Sequence, residues 1–233
     1  MGLIEGIERA KAPKRLPVVL TRGEVKAVLD KMEGVPQLVC RLLYGAGLRL
    51  AECLSLRVKD IDLERNELTV RDGKGAKDRV TVLPTSCRQD LLGQLEGVRR
   101  LHAEDLERGL GRASLPFGLA DKYPRADRHW GWQYVFPASS HYTDRRTGVQ
   151  HRHHLHETVA QKAMAEAVRR AELTKAATPH TLRHHADCRI MPTRRAGLLG
   201  RGGSLAFVVY GVGIIRDSPK RPAGGHRVGS GAG

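Results

Sequence analysis

The chain has 233 residues and carries 40 lysines and arginines against 25 acidic residues, a formal net charge of +15. This length allows one full domain, or one domain and a fragment of another. No window approaches about 18 uninterrupted apolar residues, so we expect no membrane-spanning helix. The positive charge indicates a polyanionic partner, but it does not distinguish DNA from RNA.

The spacing of the cysteines and the composition of the first residues indicate the cellular location of the protein. The four cysteines, at positions 40, 53, 87 and 188, include no Cys-x-x-Cys pair and no short paired spacing. We therefore expect neither a disulfide framework nor a thiolate zinc site, and a reducing cytoplasm as the location. The first ten residues contain acidic side chains and no apolar signal-peptide stretch, which agrees with that location.

The first elements in the chain are predicted to be helices. Residues 1–18 mix charged residues with proline and indicate a linker that leads into a domain. Thr21 and Glu24 have the spacing of a capping box, and apolar residues at helical spacing follow them. A second helix is expected after Gly34, ended by the glycines near residue 47.

A short helix over residues 49–56 and then a hairpin are expected next. Residues 67–71 and 79–83 are β-like runs, and the stretch 72–78 between them has the composition of a hairpin loop. After Pro84 a long amphipathic helix is predicted. Its apolar face is formed by Leu91, Leu92, Leu95, Val98, Leu101 and Leu106.

The second half of the chain is less regular. Residues 109–156 contain prolines, both tryptophans and many histidines, and only residues 134–136 resemble a strand. A loop of this length is usually functional or disordered. Helical periodicity returns over residues 157–171, and Thr178 and Pro179 are suited to begin another helix. Residues 189–233 hold 11 of the 26 glycines and a single acidic residue, with no sustained period.

Three basic clusters, far apart in sequence, suit one phosphodiester. Arg49 begins a helix, Lys74 stands at the hairpin tip, and His180 and Arg183 share a helical face at i, i+3. If they converge, the guanidinium groups bind the non-bridging oxygens and stabilise charge as the phosphorus becomes five-coordinate. Lysine can protonate the leaving 5′ oxygen, and histidine can accept or return the nucleophile's proton. Such a site needs no metal or other cofactor.

Each cluster alone has a plainer interpretation. Arg49 and Glu52 have the spacing of a surface ion pair at a helix start. Lysines in a polar hairpin are usually only solvated, and His-x-x-Arg is a common helical pattern. The order of all three clusters, each in the element type that the chemistry requires, favours the functional interpretation.

Residues from about Leu20 to His184 resemble the catalytic domain of tyrosine recombinases, the phage integrase family. The resemblance rests on three strings: Gly-Leu-Arg49-Leu-Ala-Glu52, Gly73-Lys74-Gly75 and His180-Thr-Leu-Arg183-His184. It implies a mainly α fold with a small antiparallel β-sheet (α+β) over residues 19–188, and site-specific DNA cleavage and rejoining without a cofactor. In that family the two arginines, the lysine and the first histidine act on the scissile phosphate, which assigns catalytic roles here to Arg49, Lys74, His180 and Arg183.

More narrowly, the chain resembles the integron integrases, which carry an added segment in this domain. The matching strings are Lys122-Tyr-Pro, Trp130-Gly-Trp-Gln-Tyr-Val-Phe-Pro137 and Arg152-His-His-Leu-His-Glu157. The resemblance implies that residues 109–157 grip folded single-stranded recombination sites through bases that swing out of the stem. Trp132 is then expected to stack on such a base, with His153 and His154 in the matching His-His pair. Lys77 and Arg79 are also expected to contact DNA.

Other roles remain open for the residues of this added segment. The tryptophans could equally be packed in the core. The four histidines between residues 151 and 156 could bind zinc, but no second ligand cluster has the usual spacing, so we expect no metal.

Two features of the family are missing after His184. Where the family has Leu-Gly-His and, further on, a nucleophilic tyrosine, this chain has Ala206 and Ile215. Tyr210 lies nearby without the surrounding motif, so it is a weak candidate and no nucleophile is identified. We expect residues 189–233 to be an aberrant tail produced by a frameshift, which leaves the catalytic domain incomplete. Residues 1–18 are expected to be the linker remnant of a truncated N-terminal DNA-clamping domain.

These observations leave three functions open. The chain could be a recombinase that forms a 3′-phosphotyrosyl bond through Tyr210, a non-catalytic DNA-binding remnant that keeps the phosphate pocket, or a basic RNA-binding protein. The motif series argues against the third function, and the missing tyrosine argues against the first. We therefore expect an integron-integrase-like domain that binds DNA recombination sites, self-associates on DNA and lacks cleavage activity.

Overall fold

A computed structural model describes residues 18–71, 78–116 and 119–183, which belong to one structural unit. The helices are α1 (Arg22–Asp30), α2 (Gly34–Ala46), α3 (Leu50–Leu54), α4 (Arg88–Glu107), α5 (Leu119–Lys122) and α6 (Glu157–Arg170), with a further helical segment at 179–183. The strands are β1 (Ile61–Asp62), β2 (Glu67–Val70), β3 (Arg79–Val82), β4 (Pro137–Thr143) and β5 (Gln150–His154). This confirms the mainly α fold with small antiparallel sheets. The predicted linker up to residue 17 and the predicted tail lie outside the described residues.

Helix α1 begins with the predicted capping box. Thr21 Oγ1 accepts a hydrogen bond from the backbone N–H of Glu24 at 3.2 Å, and the Glu24 carboxylate accepts one from the Thr21 N–H at 2.6 Å. Two N–H groups that the helix cannot satisfy are thereby paired. Val25 and Val28 on the inner face are buried, so the helix is fixed to the core at the start of the domain.

The centre of the core is α2, which packs against α1, α3, α4 and α6. Its inner face contributes Val39, Leu42 and Leu43, all fully buried. Three free cysteines belong to the same core: Cys40, Cys53 and Cys87. Burial raises the pKa of each thiol, and that of Cys40 to about 12.

Helix α4 is the long amphipathic helix expected after Pro84. Leu91 and Val98 face the core as predicted, whereas Leu106 is 42% exposed because it lies in the last turn, beyond the core. Within the described ranges, no helix is long and apolar enough to span a bilayer.

The first sheet has the strand order β1-β2-β3, with every pair antiparallel. Leu68 and Val70 of β2 are buried against the helices. On β3, Val80 and Val82 point away from the core and are 60% and 42% exposed. The hairpin expected between residues 67 and 83 is therefore present, with its loop 72–77 outside the described residues.

The predicted strand at residues 134–136 is wrong. Tyr134, Val135 and Phe136 are all buried, but they are not assigned to a strand. Tyr134 forms an isolated bridge with Arg57, and the Val135 N–H donates to Leu56 O at 2.9 Å. These residues lack the continuous pairing with a neighbouring strand that defines a β-ladder, and β4 begins only at Pro137. The strands of this region come later, as β4 and β5.

The β4–β5 hairpin is polar, and a buried ion pair connects it to α4. Arg152 on β5 donates to both carboxylate oxygens of Asp105 on α4, at 2.6 and 2.7 Å. Its Nη1 donates to the carbonyls of Ala138 and Ser139 on β4. His141 Nε2 lies 3.3 Å from the same Asp105 carboxylate. Arg152 thus connects β5 both to β4 and to α4 through polar contacts.

Candidate functional site

Arg49 occupies the turn between α2 and α3. Gly47 ends α2 with a φ of +66°, a left-handed conformation that favours glycine. Leu48 is fully buried, and Arg49 is the N-cap residue of α3. The buried leucine fixes the backbone on one side, so that the Arg49 side chain projects at the surface, 37% exposed.

Glu52 connects Arg49 to the hairpin. Its carboxylate accepts hydrogen bonds from the Arg49 backbone N–H at 2.8 Å and from Arg49 Nη1 at 2.5 Å. It also accepts from Arg79 Nη1 and Nη2, at 3.0 and 2.8 Å. Burial opposes ionisation of Glu52, but these bonds from Arg79 and Arg49 outweigh it and lower the pKa of Glu52 to about 2.

The resulting Arg49–Glu52–Arg79 cluster holds two guanidinium groups on one carboxylate. Glu52 is only 9% exposed, whereas the two arginine side chains are 37% and 36% exposed. The cluster therefore presents one net positive charge at the surface on a rigid base. Arg79 was expected to contact DNA, and the structure places it against Glu52 at the first residue of β3. Lys74 and Lys77, in the loop that precedes it, lie outside the described residues.

His180 and Arg183 lie on the helical segment 179–183. Thr181 Oγ1 accepts from the Thr178 N–H at 3.1 Å, which agrees with the expected helix start at Thr178 and Pro179. Leu182 is fully buried, while His180 is exposed and Arg183 is partly exposed. One face of the segment thus anchors it in the core.

The approach to this segment is fixed by a long-range ion pair. Lys175 Nζ lies 2.9 Å from the Glu24 carboxylate of α1 and also donates to Val19 O. The Thr21 backbone N–H and Lys175 lower the pKa of Glu24. The two ends of the described chain are thereby joined.

Trp132 lies at the end of a short 3₁₀ helix, Trp130–Trp132, and is only partly buried. Trp130 is likewise only partly buried, so neither tryptophan lies fully inside the core. The ammonium of Lys59 lies 2.9 Å from the centre of the Trp132 ring, and the guanidinium carbon of Arg57 lies at 5.5 Å. Trp132 is thus a partly exposed aromatic surface with cations against it.

Arg57 is a structural residue that the sequence analysis missed. It is 9% exposed and donates to the carbonyls of Trp132 and Ser114 and to the hydroxyl of Tyr134. Its guanidinium also lies over the Tyr134 ring, 4.4 Å from the centre. Nothing in the spacing of Arg57 separates it from the exposed arginines; only its position between two apolar residues, Leu56 and Val58, hints at burial.

The ring of Tyr134 and the aromatic and imidazole rings of the β4–β5 hairpin lie close together. The rings of His153 and His154 are 4.0 Å apart, and both lie within 5.5 Å of the Tyr134 ring. Tyr142 stacks on His151 at 5.7 Å. Burial and the neighbouring His154 lower the pKa of His153. Among the described residues, no group of three or more potential ligands is arranged for a metal ion.

Comparison with known proteins identifies the family. A model of the phage integrase family matches residues 19–192, which include every described residue of this site. The chain belongs to the phage integrase family. The family resemblance of the sequence motifs is thereby confirmed, and the expected fold of a tyrosine recombinase catalytic domain agrees with this membership.

Individual relatives show how much of such a protein is present. Proteins named integrase/recombinase from Escherichia coli and Pseudomonas aeruginosa are each 45% identical over 181 residues, which is 78% of this chain and 54% of theirs. Tyrosine recombinase XerA of Thermococcus kodakarensis is 44% identical over 101 residues, 41% of this chain and 36% of its own. The chain therefore spans about half the length of the two integrase/recombinase proteins.

Solved structures of a recombinase and an integrase are similar at lower identity. The crystal structure of XerA recombinase has a TM-score of 0.47 and 20% identity, and the match covers 78% of this chain and 52% of that one. The Tn1549 transposon integrase in complex with transposon right end DNA has a TM-score of 0.45 and 17% identity, covering 77% and 55%.

Proposed function

We propose that this chain binds DNA recombination sites of the integron type and positions one phosphodiester at Arg49, Lys74, His180 and Arg183. The observation that carries the proposal is the Arg49–Glu52–Arg79 cluster. Glu52 fixes the orientation of the Arg49 guanidinium, yet two arginines share its charge. A phosphate oxygen can therefore be bound by Arg49 without breaking the ion pair, and no ordering of a flexible side chain is needed at that moment.

The chemistry of the family defines what such a site does. A tyrosine hydroxyl attacks the scissile phosphorus, a 3′-phosphotyrosyl bond forms, and the bond to the 5′ oxygen breaks. We assign charge stabilisation to Arg49 and Arg183, protonation of the leaving oxygen to Lys74, and transfer of the nucleophile's proton to His180. Rejoining reverses these steps.

This chain is proposed to stop before the covalent step. Positions 206 and 215 carry alanine and isoleucine, where the family motif requires histidine and tyrosine. Tyr210 is displaced from the motif, and a displaced nucleophile loses in-line geometry at a cost of orders of magnitude in rate. The proposed activity is therefore DNA binding with a phosphate pocket and no nucleophile.

Recognition of folded single-stranded sites is assigned to Trp132, His153 and His154. These side chains are partly exposed on the added segment, and Arg57 fixes the backbone of Trp132 through its carbonyl. A base that swings out of a DNA stem can stack on the indole, for about 1–3 kcal/mol. Trp132→Ala should weaken binding of such a site by about 5- to 150-fold.

The covalent step is tested with a nicked suicide substrate that carries an integron-type site. Denaturing electrophoresis detects a protein–DNA bond, and native electrophoresis of the same mixture detects binding. We expect a native shift without a covalent band. A covalent band that disappears in Tyr210→Phe would show a working recombinase and overturn the proposed loss of cleavage.

Binding itself is tested with variants of the pocket. Arg49→Ala and Arg183→Ala should each weaken DNA binding by about 10- to 100-fold, because each removes charge-assisted hydrogen bonds to a phosphate. Arg65→Ala is the matched control, because the Arg65 side chain is 77% exposed and its ion pair with Asp62 is long, at 3.9 Å. This substitution removes the same charge outside the proposed pocket. Equal affinity for folded DNA sites and unrelated RNA would instead support a basic RNA-binding protein.

A further inference from the structure

Lys59 lies on the 3₁₀ helix Val58–Asp60, which packs against the 3₁₀ helix that carries Trp132. The two helices are joined by the Val58 N–H, which donates to Gln133 O at 3.0 Å. The stem of Lys59 packs near Gly131, and its ammonium lies 2.9 Å from the centre of the Trp132 ring. One face of the indole is therefore covered by a cation.

No carboxylate within the described residues pairs with Lys59. The nearest acid along the chain, Asp60, is 4% exposed and already accepts from the Arg57 N–H at 3.1 Å and from Arg71 Nε at 2.6 Å. Asp78 pairs with Arg71 as well, at 3.5 Å. The ammonium of Lys59 thus contacts an aromatic face, and its electrostatic environment includes two positive charges, Arg57 and Arg71, against the one carboxylate of Asp60.

This environment favours an added anion. Burial and then the positive charges of Arg71 and Arg57 lower the pKa of Lys59, with Asp60 opposing them. A cation–π contact is worth only about 0.5–1 kcal/mol at an exposed site, less than a charge-assisted hydrogen bond to a phosphate. The ammonium therefore has a weak partner on the indole and would gain from leaving it for a phosphate oxygen.

We propose that Lys59 is a nucleotide-binding residue that covers Trp132 in the free chain and moves onto a backbone phosphate when an extrahelical base stacks on the indole. This rests on the stacking role given to Trp132 above. The base replaces the ammonium on the ring, and the displaced ammonium neutralises the phosphate of the same or an adjacent nucleotide. Stacking on Trp132 and phosphate binding by Lys59 are thereby coupled. A stem without an extrahelical base makes neither interaction.

The test uses the full chain and three DNA hairpins that differ at one position: an extrahelical base, an extrahelical abasic site, or a fully paired stem. Affinity is measured by fluorescence anisotropy at several salt concentrations. Lys59→Gln should reduce the slope of log affinity against log salt by about 0.7–0.9, the value for one phosphate contact, on the base-bearing hairpin only. Lys59→Arg should retain the wild-type slope.

Two controls separate the possible failures. Lys26→Gln removes the same charge from a 78% exposed side chain on α1 and should not discriminate among the hairpins. A wild-type chain that binds the base-bearing and abasic hairpins equally would overturn the stacking function. A wild-type preference that persists in Lys59→Gln with an unchanged salt slope would overturn the assignment of Lys59 alone, as would an equal loss of slope on all three hairpins.

Discussion

Arg79 donates to both carboxylate oxygens of Glu52, at 2.8 and 3.0 Å, across 27 residues of chain. This bidentate pair fixes the start of β3 to α3, the helix that Arg49 precedes as N-cap residue. The hairpin that carries Lys74 and the turn that carries Arg49 therefore share one anchor. Loss of that anchor should affect folding and DNA binding together.

Glu52→Gln should destabilise the chain by about 2–3 kcal/mol, because the amide nitrogen places a donor against two guanidinium groups. The free energy of unfolding is measured by urea denaturation. Glu96→Gln, on the exposed face of α4, is the control and should stay within about 0.5 kcal/mol of the wild type. If both variants behaved alike, Glu52 would not be the anchor described here.

Acid should remove the same stabilisation. The pKa of Glu52 is about 2 in the folded chain against an ordinary 4.5, so its contribution is complete above about pH 4.5 and is lost as the pH falls towards 2. Between pH 5 and pH 3 this group should account for a loss of about 2 kcal/mol. Glu52→Gln should lack that part of the pH dependence, whereas a variant with the full wild-type dependence would contradict the assignment.

Gly45→Ala should destabilise the chain by about 1–3 kcal/mol through overpacking. A Cβ at this position would lie 2.4 Å from Cγ of Pro84, in a rigid ring that cannot rotate away. Gly93→Ala in α4 is a sharp control, because nothing lies within 4 Å of its Cβ position. That substitution should stabilise the helix by up to about 1 kcal/mol. Thermal unfolding of the two variants should therefore shift in opposite directions.

The buried pair between Asp105 and Arg152 should show strong coupling. Burial opposes ionisation of Asp105, but Arg152 outweighs it and lowers the pKa of Asp105. Arg152→Met should cost about 3–5 kcal/mol, because it leaves a buried carboxylate without its partner. The double variant with Asp105→Leu should cost less than Arg152→Met alone. Additive losses in the double-mutant cycle would show that the two residues act independently.

Local patterns predicted much of the fold. The capping box at Thr21 and Glu24, the apolar face of α4 and the helix after Thr178 each depend on residues within a turn or two of one another. Such signals are visible in a single stretch of sequence because helical hydrogen bonds are local. The prediction of these elements was accordingly correct to within a few residues.

The rest depends on partners far away in the chain. Arg152 of the polar strand β5 contacts Asp105, which lies 47 residues earlier in the chain, and no periodicity in β5 reveals this contact. Arg57 similarly reaches Trp132 75 residues later. Of the candidate site, the roles given to Arg49 and to segment 179–183 stay predictions from the motifs, and the contact of Arg79 with Glu52 could not be predicted from spacing alone.

Chemical modification of the three buried cysteines can be used to measure local unfolding of the core. Cys40, Cys53 and Cys87 are at most 1% exposed, and their raised pKa values leave almost no reactive thiolate. A thiol reagent can therefore modify them only after the core opens. In a Cys188→Ser background, the labelling rate of each cysteine would measure how often α2, α3 and the start of α4 separate, and whether bound DNA slows that opening.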